Sequence, residues 1–328
     1  MKLIKPSFTI IEQGSGIEGV YKQIEMAGRT CYKSEDKITE TSAKEFVDRM
    51  IKSGHGAMLE HGTIYLTIPD REPDKYGRLD YGHVGVGDYS ANKYSKVTYR
   101  DYSQEPNETQ KEYCSIIPRT TTYVTTNLRV LVENGWMDDL KYLSIPTEYH
   151  ARRITVKFVC DRGVTHEFVR HRVFSFAQES TRYCNYSKDK FGSEITCIIP
   201  SWIDDNDTNL HSGHSYCEDE WGNLLTEYYY KVTDKGLESG LTVNPTRTYL
   251  AALEHSEKLY FSLLTSGWKA QEARAVLPTA VKAELVMTGF VDDWRHFFHL
   301  RTAAGAHPQA RELAQPLQDE FVRRNYID

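Results

Sequence analysis

The chain has no apolar run near the ~18 residues that a bilayer-spanning helix requires, so no transmembrane segment is expected. Its first residues, MKLIKPSFTIIEQGSG, lack the apolar centre of a signal peptide, and a cytoplasmic location is the matching expectation. Cysteine is sparse: six in 328 residues, Cys31, Cys114, Cys160, Cys184, Cys197 and Cys217, with no CxxC pair. A disulfide scaffold is therefore not expected. A surplus of basic charge is missing too. Forty Lys and Arg against 46 Asp and Glu leave a net charge of −6, which argues against a protein that coats nucleic acid through its overall field. No G-x-S-x-G elbow surrounds Ser180, and no cysteine has a local activating pattern, so nucleophilic catalysis is not indicated. His211, His214 and Cys217 form an HxxHxxC cluster, but no fourth ligand stands at sensible spacing. We read it as a polar loop and expect no metal.

What is present is a soluble globular composition: 40% hydrophobic, 26% charged and 12% aromatic, with 22 Tyr against 12 Phe. Apolar residues at Ile17, Val20 and Ile24 predict a helix over 16–27. Ser42 and Glu45 have the spacing of a capping box, opening a helix that carries Phe46, Val47, Met50 and Ile51 and stops at Gly54. HGAMLEH (55–61) follows, then an alternating strand over 63–68. Residues of about 70–150 are rich in Tyr, Asp and Gly, with a short helix near 127–133, and read as an insertion. GHVGVG at 82–87 has no strand before it and no helix after it, so a dinucleotide-loop reading lacks its context.

From residue 153 the pattern tightens. Ile154, Val156, Phe158 and Cys160 alternate as on a strand, and 164–172 is predicted helical. Further helices are expected over 219–233, 246–265, 291–301 and 307–324, with a strand over 282–288. Strands and helices do not alternate regularly. The expectation is an α+β fold, a mixed or antiparallel twisted sheet flanked by helices, in one elaborated domain over 1–328.

The chemistry concentrates in RHRVFSFAQESTRY, residues 170–183. Arg170, His171, Arg172 and Arg182 are interleaved with Ser175, Gln178, Ser180 and Thr181. Forked guanidinium donors match phosphate oxygens, and hydroxyls and amides complete such a shell. A solvated charged helix end is the plainer explanation for most Arg-rich runs. Here, however, Phe174, Phe176 and small polar groups separate the cations where acidic partners would be expected.

This string resembles the signature of the flavin-dependent thymidylate synthases: RHR, seven residues, Ser, then RY. AGRTCY (27–32), HGAMLEH (55–61), EARAVLP (272–278) and HFFHLR (296–301) resemble further landmarks of that family, in the same order. The resemblance covers roughly 15–70 and 153–325. It implies methylation of dUMP to dTMP with 5,10-methylenetetrahydrofolate as carbon donor and FAD, reduced by NADPH, as hydride source. It also implies a homotetramer with active sites shared between subunits, acting on small molecules and not on nucleic acid or membrane.

Carried over residue by residue, the resemblance implies that Ser180, Thr181, Arg182 and Arg274 hold the phosphate and ribose of dUMP. Glu167, Arg170, Gln178 and Glu179 complete the nucleotide shell. Arg301 is implied as the catalytic cation at the uracil, placed where negative charge develops on the ring. Arg170, His171, Arg172, His55, Ala57, Glu60, Gln178 and His296 are implied to line the FAD. The sequence departs from the family in three places. Glu167 stands where Gln is common, Ala57 where Ser or Thr is usual, and Phe290-Val291-Asp292 where an Asn-x-Arg contacts flavin.

Taken singly, Arg301 is a helix-terminal cation favoured by the macrodipole, and Arg274 is a partner for Glu272. A different function class, a single-stranded nucleic-acid module using the Arg162–Arg182 cluster and its aromatics, predicts stacking platforms on exposed rings. A phosphohydrolase would need an Asp/His metal constellation, which the sequence lacks.

Overall fold

Two short strands, β1 (Lys2–Ile4) and β2 (Ser7–Ile11), lead into helix α1 (Gly16–Tyr32). The helix runs past residue 27, the expected end. Arg29 pairs with Glu25 one turn earlier at 3.0 Å, and Thr30 is fully buried, so the last turn is held by packing. Helix α2 (Ser42–Lys52) crosses α1 closely. A Cβ at Gly28 would lie 2.4 Å from the Phe46 ring, so only glycine allows this approach. The expected capping box does not form. Ser42 sits inside the first turn and its hydroxyl donates to Glu25 Oε2 at 2.8 Å, because that buried carboxylate is the stronger acceptor.

The computed structural model describes residues 1–69, 88–101, 120–188, 192–203, 226–233, 236–243 and 245–328. Both the GHVGVG segment and the His211–His214–Cys217 cluster lie outside these residues. After the single-turn helix α3 (Gly56–Leu59), strands β3 (Thr63–Pro69), β4 (Lys96–Asp101) and β5 (Thr120–Asn127) form an antiparallel sheet in the order β3-β5-β4. Helix α4 (Leu128–Asn134) follows, capped by the Asn127 side chain and closed by Gly135 at φ 72°. Part of the stretch read as an insertion is thus built into the sheet of β3. It contributes Val124, Leu128, Val130 and Leu131 to a core shared with Val20, Ile24, Phe46 and Leu66.

The second half carries strand β6 (Arg153–Asp161), helix α5 (Arg162–Phe168) and strands β7 (Ser175–Gln178) and β8 (Thr196–Ile198). Strands β9 (Thr226–Thr233) and β10 (Gly236–Val243) pair as an antiparallel hairpin. Of the helix expected over 219–233, residues 226–233 are strand instead, and 219–225 lie outside the described residues. TEYYYKVT is rich in aromatic and β-branched residues, and a facing strand satisfies its backbone. Next come helices α6 (Pro245–Thr265) and α7 (Ala270–Ala273), strand β11 (Lys282–Phe290), and helices α8 (Val291–Arg301) and α9 (Pro308–Arg323).

Strands β2, β6, β11 and β7, in that order, make an antiparallel four-stranded sheet, while β1 and β8 pair in parallel. Strand β11 is buried on both faces. Leu285 and Met287 meet Phe158, Trp294, Phe297 and Phe321, whereas Val286 meets Ala27 and Ala177. Helices α8 and α9 therefore cover one face of this sheet and α1 the other, an α+β arrangement of small sheets flanked by helices. Each fully buried large side chain contributes ~1.5–3 kcal/mol, so four rings, Trp294, Phe297, Phe298 and Phe321, suffice to lock α8 and α9 onto the sheet. That locking matters because α8 ends on Arg301. Among the described residues no helix is long and apolar enough to cross a membrane.

Candidate active site

Strand β6 delivers Asp161, whose side chain accepts from Val164 N at 2.7 Å and so starts α5. The helix was expected to reach 172 but ends at Phe168. The His171 N–H bonds back to Phe168 O at 3.1 Å and the Phe174 N–H to His171 O at 3.1 Å, so the RHR segment is a tight turn. The chain turns here because His171 and Phe174 are both buried, while β7 must pair with β11 immediately afterwards. A Cβ at Gly289 on β11 would stand 2.5 Å from the Phe174 ring, so a glycine there admits the turn. Phe174 packs edge-on to Trp294 at 4.7 Å, which leaves it no face for a nucleobase.

Around this turn the structure assembles one group of side chains. Arg301, at the end of α8, donates from Nε to His171 Nε2 at 2.9 Å, from Nη1 to Glu167 Oε2 at 2.8 Å and from Nη2 to Glu167 O at 2.5 Å. The other oxygen of Glu167, Oε1, lies 3.2 Å from Arg170 Nη1. The His171 ring centroid is 6.2 Å from that of exposed His296 and 5.0 Å from that of Phe297. Burial first, then the charges of Arg301 and His296, push His171 down to about 4 against a smaller upward pull from Glu167. The ring is neutral near pH 7, and Nε2 accepts the Arg301 hydrogen bond, which places the ring proton on Nδ1. Arg170 and Arg172 flank buried His171 and are both exposed.

A second group forms at the far end of the signature. Arg274, on the turn after α7, donates to Thr181 Oγ1 at 3.0 Å. Ser180 N–H donates to Cys31 O at 3.0 Å, and its hydroxyl accepts from Arg182 N at 3.4 Å. The Tyr183 ring lies 5.3 Å from Tyr32, whose hydroxyl is 3.3 Å from His55 Nδ1. His55 and Ala57 are exposed on the α3 turn. Gln178 stands between the groups, its amide donating to Thr165 Oγ1 on α5 at 2.9 Å. Among the described residues no hydrogen bond or ion pair joins the Arg274 group to the Arg301 group.

Two expected residues are turned elsewhere. The Glu179 side chain is buried, with Oε2 held by Lys282 Nζ at 2.7 Å and by Glu284 N at 3.2 Å, because the lysines around Glu284 attract it inward. It presents no carboxylate to the Ser180–Arg182 loop. Glu60 is bound by Arg129 Nη1 at 2.5 Å, so its charge is neutralised. Behind it, buried Arg153 donates from both Nη atoms to Glu60 O at 3.2 Å and anchors the turn. His61, in the same motif, is fully buried with Nδ1 2.8 Å from Thr288 Oγ1; burial, then Arg153, push it down to about 3.

The sequence reading missed Thr165, Tyr32 and Tyr183 as positioning contacts. Tyr32 closes the AGRTCY string and Tyr183 closes the signature, so both were visible in the motifs. Thr165 had no spacing signal. Among the described residues Cys31, Cys160 and Cys197 are free thiols, and burial raises Cys197 to about 12, which keeps it inert. Among the described residues no group of His, Cys, Asp or Glu is arranged to hold a metal ion.

This is an α+β protein with two separate cationic groups, one where the turn of Arg170 meets the helix end at Arg301 and one at the loop of Arg274, and forked donors of this kind suit an anionic ligand. Residues 149–324, just over half of the chain, match the family model described as Thymidylate synthase complementing protein. The chain belongs to that family. It is 26% identical over 236 residues to the flavin-dependent thymidylate synthase of Pyrococcus furiosus, covering 71% of this chain and 81% of the relative. To the protein of the same name from Pyrococcus abyssi it is 28% identical over 168 residues, 51% of this chain and 53% of the relative. To that of Corynebacterium glutamicum it is 31% identical over 153 residues, 47% and 50% respectively. The match thus spans about half the length of two of these three curated relatives. Among solved structures, a UMP/dUMP methylase, PolB, from Streptomyces cacaoi bound with 5-Br dUMP is similar at 15% identity and a TM-score of 0.38, covering 98% of this chain and 93% of that one.

Proposed function

We propose that this protein is a flavin-dependent thymidylate synthase, converting dUMP to dTMP with 5,10-methylenetetrahydrofolate as carbon donor and NADPH as reductant. The observation that carries the reading is the delivery of Arg301 from α8 into the turn of Arg170 and His171, 130 residues away in sequence. Arg301 is the catalytic cation, facing the uracil and opposing negative charge as C5 becomes nucleophilic. Ser180, Thr181, Arg182 and Arg274 bind the phosphate and ribose, with Gln178 and Arg170 toward the base.

The residues fit an anionic dinucleotide such as FAD. Exposed Arg170 and Arg172 offer forked donors for phosphate oxygens, and the one nearby acid on the α3 turn, Glu60, is already neutralised by Arg129. His55, Ala57, His171 and His296 line the remainder. When bound, the flavin supplies the hydride; the protein orients the nucleotide and excludes competing chemistry. The two groups of site residues complete one another across subunits in a homotetramer.

The test is the visible spectrum of the purified protein before and after anaerobic NADPH, together with tritium release from dUMP labelled at C5. A protein that binds no flavin and releases no tritium overturns the reading. Arg301→Ala is expected to lower dTMP formation by about 10²–10³ while the protein stays folded, as circular dichroism would read. Retained turnover removes Arg301 from the mechanism.

A further inference from the structure

A guanidinium carries five N–H donors in one plane. In Arg301 three are engaged, one on each nitrogen: Nε by His171 Nε2, Nη1 by Glu167 Oε2 and Nη2 by the Glu167 carbonyl. Among the described residues the other two, one on each Nη, have no hydrogen-bond partner. A plane gripped at all three nitrogens cannot rotate about its last bonds without breaking hydrogen bonds, so the orientation of the guanidinium is fixed.

Glu167 supplies two of the three acceptors, one from its side chain and one from its backbone. Its remaining oxygen faces Arg170 at 3.2 Å. Both carboxylate oxygens are thus turned to arginines. A carboxylate placed directly against a nucleotide dianion would repel it, whereas one shared by two guanidinium groups does not. The carboxylate also cancels one of the two positive charges, so Arg301 and Arg170 stand in one turn without mutual repulsion.

We propose that Glu167, with His171, is a positioning residue for Arg301, acting on the nucleotide through the arginines it holds and chiefly through Arg301, which it grips from both side chain and backbone. This rests on the thymidylate synthase reading above. Glu167 is a clamp: its side chain and backbone fix the plane of the guanidinium that meets the base.

The test compares Glu167→Ala and Glu167→Gln with the parent enzyme, and repeats Glu167→Ala on the Arg301→Ala background. Turnover, dUMP affinity by equilibrium binding, flavin absorbance and thermal midpoint are read for each. Glu167→Ala is expected to lower kcat by about tenfold to a hundredfold, as a misplaced catalytic group does, and to weaken dUMP several-fold. Glu167→Gln keeps an acceptor oxygen for Nη1 and recovers most of kcat with the same flavin spectrum. On the Arg301→Ala background, loss of Glu167 changes dUMP affinity much less than on the parent, since only the Arg170 contact is left to lose. The proposal fails if Glu167→Ala keeps the parent kcat, if the Gln variant is no better than Ala, or if dUMP affinity falls equally on both backgrounds. A parent that binds dUMP yet forms no dTMP sinks the reading of function instead, and the binding cycle still decides the clamp.

Discussion

His171 is an acceptor only while its ring is neutral, and its surroundings favour that state. Buried and beside Arg301, it is held down to about 4. Its folded-state pKa lies below the unfolded value of ~6.5. Its contribution to stability is therefore complete above ~6.5 and is lost as pH falls toward 4, since the unfolded chain then binds the proton first. Buried His61, held down to about 3, adds to the same trend. Thermal midpoints should fall steadily from pH 7 to pH 4, and His171→Phe should flatten part of that slope. A midpoint that does not change between pH 6.5 and 4 counts against a neutral, buried His171. At this scale the signature string was readable, but the direction of Glu179 was not. Its neighbours in sequence are polar, whereas the lysine that captures it, Lys282, comes from β11.

Element by element, the site depends on where α5 and α8 end. Helix α8 was legible from Val291, Trp294, Phe297 and Phe298 at helical spacing, and its bounds match the expectation. Helix α5 was not, because a period-based reading extends through 172 while burial of His171 and Phe174 forces a turn after Phe168. That turn fits against β11 only where Gly289 leaves room for Phe174. Gly289→Ala should destabilise the fold by about 1–3 kcal/mol, as overpacking does. Urea unfolding measures it, and a loss below about 0.3 kcal/mol would show that the ring has space to move. The capping box at Ser42 and Glu45 illustrates the converse. The spacing was right, but a buried carboxylate from α1 took the serine hydroxyl.

For the whole molecule, the two groups of site residues are not joined by any hydrogen bond or ion pair among the described residues. If they complete one another across subunits, mixing Arg301→Ala with Arg274→Ala protein should restore part of the activity that each lacks. Mixed oligomers then contain some sites with neither substitution. Sites confined to one chain would give no recovery after subunit exchange, and light scattering reporting a monomer would remove the proposal outright. The stretch of about 70–150 bears on this scale as well. It read as an insertion from its composition, yet β4 and β5 extend the sheet of β3, and Lys96 on β4 reaches Asp292 at 2.5 Å.

Local order was written plainly in this chain. The α+β character, the strand of Ile154, Val156, Phe158 and Cys160, the helix ending at Arg301 and the signature itself all follow from short-range periodicity and residue type. Those are signals a few residues long, and backbone geometry converts them directly into elements. Which charges meet was settled by packing. Glu167 and Arg301 are 134 positions apart, and nothing in either neighbourhood names the other. They meet because Trp294, Phe297 and Phe298 bind α8 to one face of the sheet that also carries α5. By composition the signature reads as an anion site, and the arginine that meets its turn is one that the core brings to it.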